Sequence, residues 1–95
     1  MAKSTYRSEM GIMHEILSIA AFGGQDGVNV SKIASKANLS HYAVIDKCDR
    51  LIDAGLIELH MKKRNRIFTL TEKGRLFFAE LDRFQNLVNS LNLRC

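Results

Sequence analysis

The sequence contains no proline, so nothing in it forces a break inside a long helix. It has two cysteines, Cys48 and Cys95, too few for a disulfide framework. Cys48 falls at an apolar position of a helical pattern and reads as core. Cys95 reads as a free thiol, able to link two chains only under oxidation. No apolar run approaches the ~20 residues of a membrane span. The opening Met1-Ala2-Lys3-Ser4-Thr5 lacks the apolar stretch of a signal peptide, so the expected place is the cytoplasm. Metal-binding patterns are missing as well: His14, His41 and His60 are scattered, with no HxxH, HExxH or CxxC. Gly23-Gly24 is a turn rather than a phosphate loop, and no serine or cysteine sits in a triad setting. The reading is a protein without enzyme activity, cofactor or metal.

What remains is a chain of 95 residues, 46% of them apolar, enough for one compact domain with a modest core. Its net charge is +4, and the excess has an address. Lys62-Lys63-Arg64-Asn65-Arg66 holds four positive charges and no negative one; without it, 10 basic residues face 10 acidic ones. A concentrated basic segment points to an anionic partner.

Residues 8–21 place Ile12, Met13, Ile16, Leu17 and Ala20 on one helical face. Ser4, Thr5 or Ser8 would cap that helix, Glu9 suits its positive end, and Gly23-Gly24 ends it. Val28-Asn29-Val30 alternates briefly, as a very short strand would. Ser31 is the expected cap of a second helix carrying Ile33, Ala34 and Ala37. Asn38-Leu39-Ser40 then turns the chain: Asn tolerates the left-handed region, Leu39 points inward and Ser40 caps a third helix. That helix, 41–54, buries Val44, Cys48, Leu51 and Ile52, and Gly55 stops it. Two alternating segments, 56–61 and 66–70, flank the basic run as a hairpin. The run has no Asn-Gly or Asp-Gly, which predicts a longer, mobile loop. Thr71 caps a last helix reaching about Asn92, with Phe77, Leu81, Phe84, Val88 and Leu91 at heptad-like spacing.

The order predicts a mainly α chain with a small β-hairpin (α+β): a winged helix-turn-helix over 1–70 and a long C-terminal dimerisation helix over 71–95, one structural unit. A helix fits the major groove, where base edges present distinct donors and acceptors. A basic hairpin beside it reaches phosphates or the minor groove. The helical wheel makes Ser40, His41, Tyr42, Ala43, Asp46 and Arg50 the reading set, with Lys47 toward a phosphate. Lys62, Lys63, Arg64 and Arg66 form the wing contacts, and Lys32 and Lys36 can add phosphate contacts. Solvation alone is the competing account of each set, and Asp46, Asp49 and Asp53 favour it on the helix because carboxylates repel phosphates. Asp46 can still accept from a cytosine amino group. The stripe Phe77, Phe78, Leu81, Phe84, Leu87, Val88 and Leu91 exceeds what so small a domain covers, which makes Phe77, Leu81, Phe84, Leu87, Val88 and Leu91 the expected dimer interface. No small-molecule effector is evident.

Ile33-Ala34, Ala37-Asn38-Leu39-Ser40, Leu51-Ile52-Asp53-Ala54-Gly55-Leu56-Ile57 and Phe68-Thr69-Leu70-Thr71-Glu72-Lys73-Gly74 resemble winged-helix regulators. The pattern is most similar to small archaeal winged-helix proteins of about ten kilodaltons, of the Sulfolobus DNA-binding type, over roughly residues 7–91. That resemblance implies a homodimer joined by an antiparallel coiled coil of the last helices, binding duplex DNA as a regulator or a chromatin-like protein on the nucleoid. Two departures stand out: a shorter last helix, and acidic residues on the third helix that suit a sequence-reading regulator better than a DNA-coating protein. Three roles stay open on the sequence: a transcriptional regulator, an architectural chromatin protein and a protein-interaction module.

Overall fold

The structure, a computed structural model, describes residues 8–91. Ser4, Thr5, Asn92 and Cys95 lie outside the described residues. The chain runs α1 (Glu9–Gly23), a 3-10 turn (Gly24–Asp26), β1 (Val28–Asn29), α2 (Val30–Ala37), α3 (His41–Asp53), β2 (Ile57–Lys62), β3 (Asn65–Leu70) and α4 (Glu72–Ser90). This is the mainly α, small-sheet architecture expected of a winged helix.

Helix starts follow side-chain chemistry closely. Ser8 caps α1 by accepting from the Gly11 amide at 3.0 Å, Ser40 caps α3 through Ala43 at 3.0 Å, and Thr71 caps α4 through Gly74 at 2.9 Å. The second helix corrects the sequence reading. It begins at Val30, and Asn29 rather than Ser31 is its cap, accepting from Lys32 at 2.8 Å. Two good capping residues lie two positions apart here. Pairing of Val28 and Asn29 with β3 fixes the extended backbone up to Asn29, so the helix starts from there. Asn38 takes the left-handed conformation (φ 56°) that ends α2, and Leu39 turns inward against the core. Gly55 (φ 78°) ends α3 with two return bonds, from its own amide to Ile52 and from Leu56 to Leu51, each 2.9 Å.

The sheet has three antiparallel strands in the order β1-β3-β2, so the short first segment joins the hairpin as its third strand. The hairpin differs from expectation. The strands stay paired to Lys62↔Asn65, leaving a two-residue turn at Lys63 and Arg64. Both central residues have positive φ, 50° and 77°, the signature of the tight turn that matches strand twist. The basic run is therefore mostly strand: Lys62 ends β2 and Arg66 lies in β3. Strand twist selected this geometry without the glycine that usually announces it.

One contiguous core joins Ile16, Leu17 and Ala20 of α1, Ile33 and Ala37 of α2, Val44, Cys48 and Leu51 of α3, and Ile57, Phe68 and Leu70 of the sheet. At about 1.5–3 kcal/mol per buried large aliphatic or aromatic side chain, this cluster fixes the orientation of α3 and the wing. The step into α4 acts as a clamp. Leu70 is buried, the Thr71 hydroxyl donates to the Gly55 carbonyl at 2.6 Å, and the Lys73 ammonium donates to the Ala54 carbonyl at 2.9 Å. Gly74 lies so close to the Leu56 backbone that any Cβ there would overlap the Leu56 carbonyl oxygen. Further along α4, Phe78 and Leu81 pack on the core, and His14 of α1 stacks on Phe78 while bonding Asp82 at 3.0 Å.

Candidate nucleic-acid interface

Helix α3 divides into four strips at about 100° per residue. Val44, Cys48 and Leu51 face the core. Burial pushes the Cys48 thiol up to about 12, with the neighbouring Asp49 charge adding, so it behaves as an inert apolar group. Opposite the core lie Tyr42, Asp46, Asp49 and Asp53. One flank carries His41 and Ile45 and turns toward the wing. The other carries Lys47 and Arg50 and turns toward α1.

The wing flank forms a cleft of about 240 Å³ lined by Asn29, Val30, Ser31, His41, Ile45, Arg64, Asn65 and Arg66. Arg66 pairs with Met61 on the strand face that carries Phe68 and Leu70 inward, which aims its side chain at α3. Lys62, one register position away on the opposite face, and Lys63 at the turn do not line the cleft. The four wing cations thus split into two that line the cleft beside α3, Arg64 and Arg66, and two that do not, Lys62 and Lys63. All four are exposed and carry no ion pair among the described residues.

On the opposite flank the cations are paired. The Glu9 carboxylate receives Lys47 Nζ at 2.8 Å on one oxygen and an Arg50 guanidinium nitrogen at 3.2 Å on the other. Asp46 stands 4.0 Å from Lys47 and 3.9 Å from Arg50. The hydrogen bond from Lys47, helped by the charges of Lys47 and Arg50, holds the Glu9 carboxyl below the usual carboxylate range.

The expected reading residues fare differently. Tyr42 is 82% exposed and His41 is exposed beside the wing. Ser40 is exposed but spends its hydroxyl oxygen on the helix cap, and Ala43 is half-buried. Asp46 and Arg50 are engaged with each other and with the Glu9 cluster. Lys32 and Lys36 are exposed and line a separate open cleft of about 470 Å³ with Ile19, Phe22 and Asp26. Ile45, Asn65 and Ser31 were absent from the sequence-based set. Ile45 was findable, since it lies one turn beyond His41 on the same flank. No group of three or more His, Cys, Asp or Glu suited to a metal exists among the described residues, and none of their helices is long and apolar enough to cross a membrane.

Among the expected interface residues of α4, Leu81 packs on the core of its own chain and Val88 is half-buried. Phe77, Phe84, Leu87 and Leu91 stay exposed, together with Leu76; Phe84 is 60% exposed and Leu91 58%. Monomeric folds seldom leave so many large apolar side chains uncovered along one helix.

A family model described as winged helix-turn-helix matches residues 6–89, and the chain belongs to that family. No curated protein matches the sequence. Among solved structures, the chain is similar to Sso10a-2, a DNA-binding protein from Sulfolobus solfataricus, with 21% identity, 90% of this chain and 86% of that one covered, and a TM-score of 0.77. It is also similar to a MarR-family transcriptional regulator from Rhodococcus sp. RHA1, with 21% identity, coverage of 85% and 58%, and a TM-score of 0.81. The transcriptional regulator BldR from Sulfolobus solfataricus gives 23%, coverage of 84% and 58%, and a TM-score of 0.74. This chain spans 58% of the length of each of those two regulators. At these identities the likeness is one of fold.

Proposed function

We propose that this protein binds duplex DNA as a homodimer and regulates transcription, with no catalytic step. The observation that carries the reading is the cleft between α3 and the wing, where Arg64 and Arg66 face His41 and Ile45. A helix of about 10–12 Å diameter fits a major groove about 12 Å wide, and cations beside it meet the bordering phosphates. Tyr42 and His41, near the start of α3, enter deepest and read base edges. Lys62 and Lys63 extend the contact along the backbone or into the minor groove, and Lys32 and Lys36 add weaker phosphate contacts from α2.

Residues 1–70 act as the winged DNA-binding unit and 71–95 supply the association helix. Phe77, Phe84, Leu87 and Leu91, with Leu76, form the apolar seam against the same helix of a second copy, as a two-fold dimer requires. On this reading the protein works on DNA in the cytoplasm. The duplex and a second copy are its partners.

A second reading rests on Asp49 and Asp53, exposed on the outward strip of α3. An acidic strip also suits a basic protein surface, as in a protein-interaction winged helix. Selection from a randomised duplex pool at two salt concentrations separates the readings. A palindromic consensus is the expected result. Salt-sensitive binding without a consensus indicates an architectural role. No binding at either salt overturns the DNA reading and favours the protein-interaction role.

A further inference from the structure

We infer that Lys47 and Arg50 form a seat for a backbone phosphate on the side of α3 opposite the wing, and that the Glu9 carboxylate occupies this seat in the free protein. The inference rests on the DNA-binding reading and adds where the second strand is gripped and what opposes that grip.

Three observations lead to it. First, the two oxygens of Glu9 are shared between two cations, 2.8 Å to Lys47 and 3.2 Å to Arg50. The two non-bridging oxygens of a phosphodiester present the same acceptor pair to the same donors. Second, the location is right. A helix in the major groove is bordered by a phosphate strand on each side. Arg64 and Arg66 of the wing serve one border, and the Lys and Arg side chains of α3, Lys47 and Arg50, lie on the far flank. Third, the Lys47 side chain is only 17% exposed, so its stem is already ordered, while Arg50 at 59% remains open to a ligand. Ordering in advance lowers the entropy cost of binding.

Glu9 is then a counter-anion that sets affinity from outside the recognition helix. With Asp46 beside the pair, two cations face two carboxylates and the seat carries no net charge. Glu9 is about half exposed and Arg50 more so, which leaves the cluster open to screening by solvent, so a phosphate can displace Glu9, and the seat carries a net positive charge only when Glu9 leaves. Glu9 sits in the first turn of α1, where the helix end favours an anion and the Ser8 cap fixes the turn. The carboxylate therefore returns to a defined place when DNA dissociates.

The test is a two-way cycle on duplex binding, measured over a range of salt, with four full-length proteins: wild type, Glu9→Gln, Lys47→Gln with Arg50→Gln, and the triple variant. Glutamine keeps the apolar stems, and circular dichroism melts check that each protein stays folded. Glu9→Gln is expected to bind about three- to tenfold tighter at low salt, the sum of two weak, solvent-screened pairs. Its plot of log K against log salt is expected to steepen by about 0.9, the slope of one more neutralised phosphate. The Lys47→Gln, Arg50→Gln protein is expected to bind more weakly than wild type. The triple variant is expected to match it, because Glu9 acts only through those two cations. Equal binding by wild type and Glu9→Gln overturns the seat. A gain from Glu9→Gln that persists in the triple variant also overturns it, since it marks a long-range field effect. Binding by none of the four overturns the DNA reading, and the seat with it.

Discussion

Two turns of this chain are built on opposite logic. At the entry to α4, each residue meets a need of the fold. Thr71 caps the helix and holds Gly55, Lys73 holds Ala54, and Gly74 lets the helix touch the Leu56 backbone. At the wing tip, Lys63 and Arg64 take positive φ values that cost a non-glycine residue about 1–2 kcal/mol each. Asn-Gly would satisfy that turn without strain. Two adjacent cations sit there instead, exposed and unpaired among the described residues. The first turn is explained by what it touches within the chain. The second carries charge at the expense of local geometry, as strained functional segments do. The exposed stripe on the outer half of α4 belongs with the wing tip, because the fold makes no use of it either.

The contrast predicts where substitutions act. Gly74→Ala strikes the clamp directly. It forces α4 away from Leu56 and is expected to lower unfolding free energy by about 3 kcal/mol, seen as a reduced midpoint in urea titration. A melt equal to wild type would show that the entry turn is not essential. Phe84→Glu with Leu87→Glu strikes the stripe. These side chains are exposed, so the winged core is expected to stay folded by circular dichroism while the mass in solution falls from two chains to one. Duplex affinity is then expected to drop by about a hundredfold or more as avidity is lost. Lys63→Asn with Arg64→Gly strikes the wing tip and is expected to do the reverse of Gly74→Ala for stability. The variant gains about 1–2 kcal/mol from relief of strain. It also binds all duplexes more weakly, with a salt slope shallower by up to about 1.8 for two lost phosphate contacts. Loss of stability there would show that the wing tip is not strained.

Much of this was legible in the residues, because the signals are local. Capping by Ser40 and Thr71, the left-handed Asn38 and the stop at Gly55 depend on neighbours within four positions, and Ser8 is one of three candidate caps the sequence offers for α1. The heptad-like pattern of α4 was only half legible. Periodicity finds apolar residues but does not say what covers them: Phe78 and Leu81 turn to the core while Phe84 and Leu91 stay outside. The choice between Asn29 and Ser31 as cap was set by strand pairing to β3, a contact nearly forty residues away in sequence. The tight wing turn was hidden because strand twist, not turn composition, imposed it. Glu9 was read as a helix-end charge; its hold on Lys47 and Arg50 joins residues 38 and 41 positions apart and leaves no local trace.

In the proposed function, two copies of this chain together hold one duplex. Sedimentation of the wild-type protein with a short duplex carrying the selected site, at low salt, reads this stoichiometry. The expected result is a complex of two chains per duplex that dissociates as salt rises. A complex of one chain per duplex would contradict the dimer. Protein and DNA sedimenting separately at low salt would contradict DNA binding itself.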